Sequence, residues 1–284
     1  MITGMTRVTG IIGHPLSHSL SPQMHNAAFR SLDMDWVYVP FPVRPEKLGR
    51  AVRGLEALNV RGVNVTIPHK EAVIEYVDEL HETASLIGAV NTLEFDDGTV
   101  RGYNTDADGC LRALEEVTSV RNSSVLILGA GGAARACAFR LALAGASGIL
   151  ILNRTPERAH SLAGDIGEKL GFDVSSGGYD LIPEAAVDAD IIIDTTPVGM
   201  HPHTDDEALV TAELMHEGMV VYDLVYNPVR TVLLREAEKA SAVPVSGLKM
   251  LVYQGAESFR IWTGRKAPVD VMEEAVLEGL WRKD

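Results

Sequence analysis

Cysteine is nearly absent: the 284 residues contain only Cys110 and Cys137. Two thiols 27 positions apart with no CxxC spacing supply neither a disulfide framework nor half of a zinc site, and a chain of this length needs no such staple. A reducing cytoplasm is the expected compartment. Long apolar runs are missing too. The most apolar stretch, 125–152, is interrupted by Arg135 and Arg140, and MITGMTRVTGIIGHP has no basic segment leading into an apolar one. No signal peptide and no membrane span are therefore expected. Positive charge is short: 25 Lys and Arg stand against 39 Asp and Glu, a net −14. That balance opposes long-range attraction to nucleic acid or to anionic lipid. Any anionic ligand must be captured by locally concentrated positive groups. Internal repeats, low-complexity tracts and Pro/Ser-rich linkers are also lacking.

What is present, 46% apolar, 23% charged and 6% aromatic residues, is the composition of a soluble globular protein, and the length suits two domains. Short β-branched or apolar runs alternate with segments of helical period. Val8–Ile12 precedes 21–32, Val37–Phe41 precedes 45–57, and Val63–Ile67 precedes 69–77. A second series restarts at Val125–Leu128 and runs through 132–144, Gly148–Leu152, 156–169, Ile191–Asp194 and Met219–Asp223. Such alternation argues for βαβ units and parallel sheets, written twice in tandem. The last segment, 247–284, shows no convincing strand. Leu248, Leu251, Val252, Phe259 and Trp262 fall on one helical face there, as in helices packed onto something else.

Ser124-Val-Leu-Ile-Leu-Gly129-Ala130-Gly131-Gly132-Ala133-Ala134 reads as a buried strand entering a glycine turn and then a helix. In that geometry unpaired backbone N–H groups meet a pyrophosphate, and glycine lets the main chain come close to it. The next strand ends at Asn153-Arg154-Thr155, 24 positions after Gly129. An NAD-selective site places Asp or Glu near there to hold the ribose 2′-hydroxyl. This chain instead offers Arg154 and Arg158, whose guanidinium forks suit a 2′-phosphate, so NADP is the expected cofactor.

Four polar clusters precede that turn: SHSLSPQMHN at 17–26, NVTIPHK at 64–70, GAVNT at 88–92 and GYNTDADG at 102–109. Each lies at or beside an expected strand end, where open αβ sheets bind ligands, and their hydroxyl, amide, amine and carboxyl groups form a hydrogen-bonding set for a small hydroxylated acid. With GAGGAA, NRTPERA, TTPVGM, DLVYNP and GLKMLVYQG following in order, essentially the whole chain resembles the shikimate dehydrogenase family.

The resemblance implies an α/β protein of two αβ domains. These are a substrate domain at 1–106 with a mostly parallel sheet, a Rossmann-type NADP domain at 107–246, and C-terminal helices at 247–284 that return to the first domain. It implies a catalytic pair, Lys70 and Asp106. Reducing a ketone requires hydride at carbon and a proton, or at least positive charge, at the oxygen that becomes an alkoxide. A lysine ammonium supplies both, since a free lysine has a pKa of about 10.4, and a neighbouring carboxylate orients it. For Asp106 the competing explanation is a cap on the helix 107–117, shared with Thr105. Ser19 and Ser21 would hold the substrate carboxylate; Ser21 is also placed to cap the helix opened by Pro22, and capping alone would explain it. Thr66, Asn91, Gln254 and Tyr226 match substrate-contacting positions, and Asn64 supports its loop. Gly129, Ala130, Gly131, Gly132, Ala133, Asn153, Arg154, Thr155, Arg158, Leu224, Gly247 and, less directly, Glu82 match cofactor-contacting positions.

His201 and His203 have an HxH spacing, but their loop lacks a third convincing ligand, so no metal is expected. The remaining histidines, His14, His18 and His81 among them, read as loop or surface residues. The implied activity is NADPH-dependent, reversible reduction of 3-dehydroshikimate to shikimate, on the route to chorismate and the aromatic amino acids. A quinate/shikimate dehydrogenase of broader specificity and a non-catalytic metabolite-binding regulator are the alternatives. The expected partners are the small-molecule substrate and, compatible with the sequence, a second copy of the chain.

Overall fold

The computed structural model describes residues 2–281. The chain divides into two compact units, Met1–Asp106 with Val252–Asp284, and Ala107–Leu251. The first unit opens with strand β1 (Arg7–Gly13), helix α1 (Ser21–Ser31), β2 (Trp36–Pro42), α2 (Leu48–Ala57) and β3 (Gly62–Val65). It continues with β4 (Glu79–Leu80), α3 (Glu82–Ile87), β5 (Thr92–Asp96) and β6 (Thr99–Tyr103). The sheet order is β2-β1-β3-β5-β6-β4. Three of its five pairings are parallel, and β5 runs against both of its neighbours. The β5–β6 hairpin turns on Asp97 and Gly98, both at positive φ, which matches the twist of the flanking strands.

The segment 69–77 departs from the helix its spacing suggests. It forms a 3₁₀ turn at Ala72–Tyr76, after which Val77 is extended. Val73, Ile74 and Val77 are β-branched and stiff at χ1, and the chain is drawn into the sheet at once by β4. Helix α1 begins at Ser21 and its N-cap is Leu20, whose own dihedrals are already helical. Ser21 therefore does not cap it; the chain enters the helix one residue earlier than Pro22 alone suggests.

The second unit carries α4 (Asp106–Glu115), β7 (Ser124–Leu128), α5 (Gly132–Ala144), β8 (Gly148–Leu152) and α6 (Pro156–Leu170). Then come β9 (Val174–Gly177), α7 (Ile182–Val187), β10 (Ile191–Asp194), β11 (Val220–Asp223), α8 (Val232–Lys239) and β12 (Val243–Ser246). All six strands are parallel, in the order β12-β11-β10-β7-β8-β9. The strand order reverses between β7 and β10, and it is at the carboxyl ends of strands at such a switch point that doubly wound sheets bind nucleotides.

The chain ends in α9 (Gly247–Thr263), within which the division between units falls, and α10 (Val269–Trp281), which packs on α1. The last three residues of the 247–284 segment lie outside the described residues. In α9, Phe259 and Trp262 are buried in the first unit. The Trp262 indole donates to the Leu93 carbonyl at 2.9 Å and occupies the space beside Gly62, where any side chain would collide with it.

Two histidines are not on the surface. His69 is 1% exposed and its Nε2 lies 2.7 Å from the Val43 carbonyl. His25 is fully buried, stacked 4.4 Å from the Tyr38 ring, and neither ring nitrogen meets a partner among the described residues. Burial depresses its pKa to about 3, which keeps the imidazole neutral.

Candidate active site

The turn after β3 and the start of α4 bring two distant charges together. Lys70 Nζ stands 2.6 Å from Asp106 Oδ2, with the side chains 19% and 8% exposed. Their backbones are pinned independently: the Lys70 carbonyl accepts from Val90 N at 2.7 Å, and Asp106 opens a helix. An ammonium held by one carboxylate oxygen and still partly open to solvent keeps donors for a second partner.

Beside this pair lies a buried hydrogen-bond network. Asn91 Nδ2 donates to Thr105 Oγ1 at 2.9 Å and reaches Gln254 Oε1 at 3.5 Å, while Asn91 Oδ1 accepts from Thr105 N at 2.7 Å. Asn64 donates to Thr92 Oγ1 and Ser258 Oγ and accepts from the Tyr38 phenol at 2.8 Å. Tyr38 and Ser258 are members that sequence reasoning missed, because each reads as an ordinary strand or helix residue, and Thr92 stood in the GAVNT cluster without a role of its own. Their role is structural: they hold Asn91 and Asn64 in fixed orientations. Thr66 follows β3, and its hydroxyl meets no hydrogen-bond partner among the described residues, whereas Ser19 Oγ accepts from Ser21 N at 3.3 Å. Ser19, Ser21, Thr66, Lys70, Asn91, Asp106 and Gln254 thus all belong to the first unit, and Tyr226, half-buried just after β11, belongs to the second. Glu82 is an exposed residue at the start of α3, also in the first unit.

In the second unit Gly129 has φ +101° and its missing side chain would strike Thr195 Oγ1, so only glycine serves. Gly131 is the N-cap of α5, a Cβ there would meet nothing within 4 Å, and the first turn of α5 has neither a side-chain cap nor an acidic residue. Its backbone donors are thus free of side-chain acceptors and open on one side, as a pyrophosphate requires. Asn153 Nδ2 donates to the Thr155 carbonyl at 2.9 Å and shapes the turn into α6. Arg154 and Arg158 are exposed and neither has a carboxylate partner among the described residues. Leu224 and Gly247 pack backbone to backbone, again with no room for a Cβ. The donor set fits a 2′-phosphorylated dinucleotide. His201 and His203 are exposed, and no three His, Cys, Asp or Glu side chains among the described residues are grouped to hold a metal ion.

One acidic pair was not foreseen. Asp194 and Asp223 end neighbouring strands in register and are each 1% exposed. Burial, then the Asp223 carboxylate, lifts Asp194 to about 7; burial also lifts Asp223, to about 6. Asp194 Oδ1 accepts from Thr196 N at 2.8 Å and Asp223 Oδ2 from Thr231 Oγ1 at 2.6 Å, so the pair shapes both loops that follow. In the unfolded chain these carboxyls lose their protons near pH 4. Between that pH and about 7 the native state binds more protons, so stability falls as pH rises through this window. Asp194→Asn, which keeps the acceptor and removes the charge, is expected to flatten that slope, worth on the order of 2 to 3 kcal/mol between pH 5 and 8. Urea midpoints of wild type and variant at the two pH values measure it; parallel slopes would assign the pH dependence elsewhere.

Comparison with known proteins gives matches along the chain. The family described as "Shikimate dehydrogenase substrate binding domain" matches residues 11–93, "Shikimate / quinate 5-dehydrogenase" residues 112–241, and "Shikimate 5'-dehydrogenase C-terminal domain" residues 247–277. The "Shikimate dehydrogenase (NADP(+))" of Methanothermobacter thermautotrophicus is 76% identical over 276 residues, covering 97% of this chain and 98% of the relative. A crystal structure of a shikimate dehydrogenase in complex with NADP+ superposes with a TM-score of 0.94 at 48% identity, covering 99% of this chain and 98% of that one. The shikimate 5-dehydrogenase of Listeria monocytogenes, in complex with shikimate and NAD, gives a TM-score of 0.90 at 38% identity, over 96% of this chain and 97% of that one. Among the described residues no helix is long and apolar enough to cross a membrane.

Proposed function

The chain belongs to the shikimate dehydrogenase family, and from that premise we propose that it catalyses the NADP-dependent, reversible reduction of 3-dehydroshikimate to shikimate, a step toward chorismate and the aromatic amino acids. The observation that carries the reading is the Lys70–Asp106 pair at 2.6 Å beside a fixed set of amide and hydroxyl groups. In the reductive direction negative charge grows on the ketone oxygen. The Lys70 ammonium neutralises it and delivers the proton, while Asp106 aims the ammonium and accepts from a substrate hydroxyl. Ser19 and Ser21 receive the substrate carboxylate through their hydroxyls. Thr66, Asn91, Gln254 and Tyr226 receive ring hydroxyls or the carboxylate, Asn91 with an orientation already set by Thr105. The bound dinucleotide supplies the hydride. For its binding, the free N–H groups at α5 take the pyrophosphate and Arg154 and Arg158, with Asn153 and Thr155, take the 2′-phosphate. Leu224 and Gly247 line the same site, and Glu82 is its outlying candidate. Residues 1–106 completed by 247–284 are the substrate domain in this reading, and 107–246 the NADP domain.

Purified protein given shikimate and NADP is expected to produce absorbance at the reduced-nicotinamide band, and to do so faster than with quinate or with NAD. Faster quinate oxidation with NAD would convert the assignment to a quinate dehydrogenase. No turnover with intact binding of both ligands would make the chain a metabolite-binding regulator. The size of the NAD rate matters because a relative's complex holds NAD.

A further inference from the structure

Helix α9 is joined to the start of β5 by side chains on one side of it. Gln254, Ser258 and Trp262 follow one another at intervals of about one turn and meet the consecutive residues Asn91, Thr92 and Leu93. Gln254 Oε1 lies 3.5 Å from Asn91 Nδ2, Ser258 Oγ lies 2.8 Å from Thr92 Oγ1, and the Trp262 indole reaches the Leu93 carbonyl. Ser258 is 0% exposed, and a consistent direction for each bond around it follows from proton counts. The Tyr38 hydroxyl gives its one proton to Asn64 Oδ1, so Asn64 Nδ2 points the other way, with its two protons toward Ser258 Oγ at 2.9 Å and Thr92 Oγ1 at 3.1 Å. The Ser258 proton goes to the Gln254 carbonyl at 3.0 Å, which leaves the Ser258 oxygen to accept from Asn64 and Thr92. On the neighbouring side Asn91 Oδ1 accepts from Thr105 N, a group that can only donate, so Asn91 Nδ2 faces Gln254 Oε1. A directed chain thus runs from Tyr38 through Asn64 and Ser258 to the main chain of Gln254.

We propose that Ser258 is a positioning residue for Gln254: bonded to the Gln254 carbonyl on one side and to Asn64 and Thr92 on the other, it fixes the depth and rotation at which α9 presents the Gln254 amide to the substrate. The inference rests on reading the first unit as the substrate domain and Gln254 as one of its binding residues. A glutamine side chain turns about three single bonds, so its amide is only as well placed as the main chain that carries it. Trp262 anchors α9 two turns away from Gln254, whereas Ser258 anchors it one turn away. Without the Ser258 oxygen a buried Asn64 N–H loses its acceptor and α9 loses its bond to Thr92, which frees the Gln254 turn to shift. Asn91 and Lys70 keep their own partners, Thr105 and Asp106, so the loss falls on substrate binding through Gln254 and not on the chemical step.

The test is steady-state kinetics of the full chain, varying shikimate and then NADP, for wild type, Ser258→Ala, Gln254→Ala and the double variant, with thermal melting to check that each is folded. A wild type that does not oxidise shikimate with NADP would overturn the activity assigned above, and this inference with it. With that activity intact, Gln254→Ala raises the KM for shikimate; an unchanged value would remove Gln254 from the substrate site and overturn the positioning role alone. Ser258→Ala raises the KM for shikimate about tenfold, the scale of one well-placed hydrogen bond, with kcat and the KM for NADP within about twofold of wild type. On the Gln254→Ala background the Ser258→Ala change has no further effect, because the group it places is gone. A shikimate KM within about twofold of wild type, a fall in kcat as large as the rise in KM, or additive losses in the double variant would each overturn the role. Ser258→Cys, close to serine in size and a poor acceptor, gives the same pattern at smaller amplitude and carries the test if alanine leaves the chain unfolded; a wild-type KM in that variant would then overturn the role.

Discussion

Lys70→Ala is expected to lower turnover on shikimate and NADP roughly a thousandfold or more, with a change of only a few-fold in the substrate's dissociation constant. The ammonium is asked to do something the ground state does not require. A ketone oxygen is a modest hydrogen-bond acceptor, whereas the incipient alkoxide carries nearly a full charge, so the interaction strengthens along the reaction and its loss falls on kcat. Removing one oxyanion donor costs about two to three orders of magnitude, and removing a general acid two to four. The two losses are not additive, because one group fills both roles. The rest of the site should survive, since Asn91, Thr105, Asn64 and Ser258 are held by one another and not by Lys70. Steady-state rates together with shikimate binding measured by fluorescence separate the two quantities. A turnover number within a few-fold of wild type would remove Lys70 from the proton path.

How much of this was legible in the residues alone depends on what each signal specifies. Alternating apolar and helical periods announced β1, β2, β3, β7, β8, β10 and β11, since these strands are runs of apolar residues, many of them β-branched. They did not announce β9 or β12, which are no shorter than β3, β10 and β11 but, unlike them, are partly exposed, nor the β4 to β6 region, where a two-residue strand and a hairpin stand in place of a longer crossover. The glycine turn was readable because its constraint is steric and local: φ at Gly129 and the contact with Thr195 leave no other choice. The polar clusters were readable as a group but not residue by residue. Within SHSLSPQMHN, Asn26 donates to the Pro22 and Tyr38 carbonyls, 2.7 and 2.8 Å away, and accepts from Tyr38 N, so it stitches α1 to β2. His25 of the same cluster fills the core. A polar side chain that completes the scaffold and one that waits for a ligand look alike in one dimension, because the difference lies in partners supplied by other elements. Asp194 and Asp223 show the same limit: at the end of an apolar strand an Asp reads as a terminator, and only parallel strand pairing reveals two carboxyls side by side.

Cofactor choice should shift most strongly when both guanidinium groups are removed. Arg154→Ala with Arg158→Ala is expected to raise the KM for NADP by about 10²- to 10³-fold and to leave that for NAD within a few-fold. A 2′-phosphate is nearly doubly charged, and a chain with net charge −14 repels it at long range unless the local field is reversed. Among the described residues neither arginine is neutralised by a carboxylate. Helix α6, which Arg154 precedes and whose first turn holds Arg158, contributes its N-terminal dipole, but that attraction survives the substitutions and cannot by itself tell a phosphate from a hydroxyl. Glu157 in the first turn of α6 opposes an anion there, so the double variant should reject the phosphate instead of merely ignoring it. Raising salt should weaken NADP binding to wild type and have far less effect on the variant, because the screened charges are gone. Equal losses for NADP and NAD in the double variant would mean that the β8–α6 turn had collapsed, and retained NADP preference would place the phosphate away from these two residues.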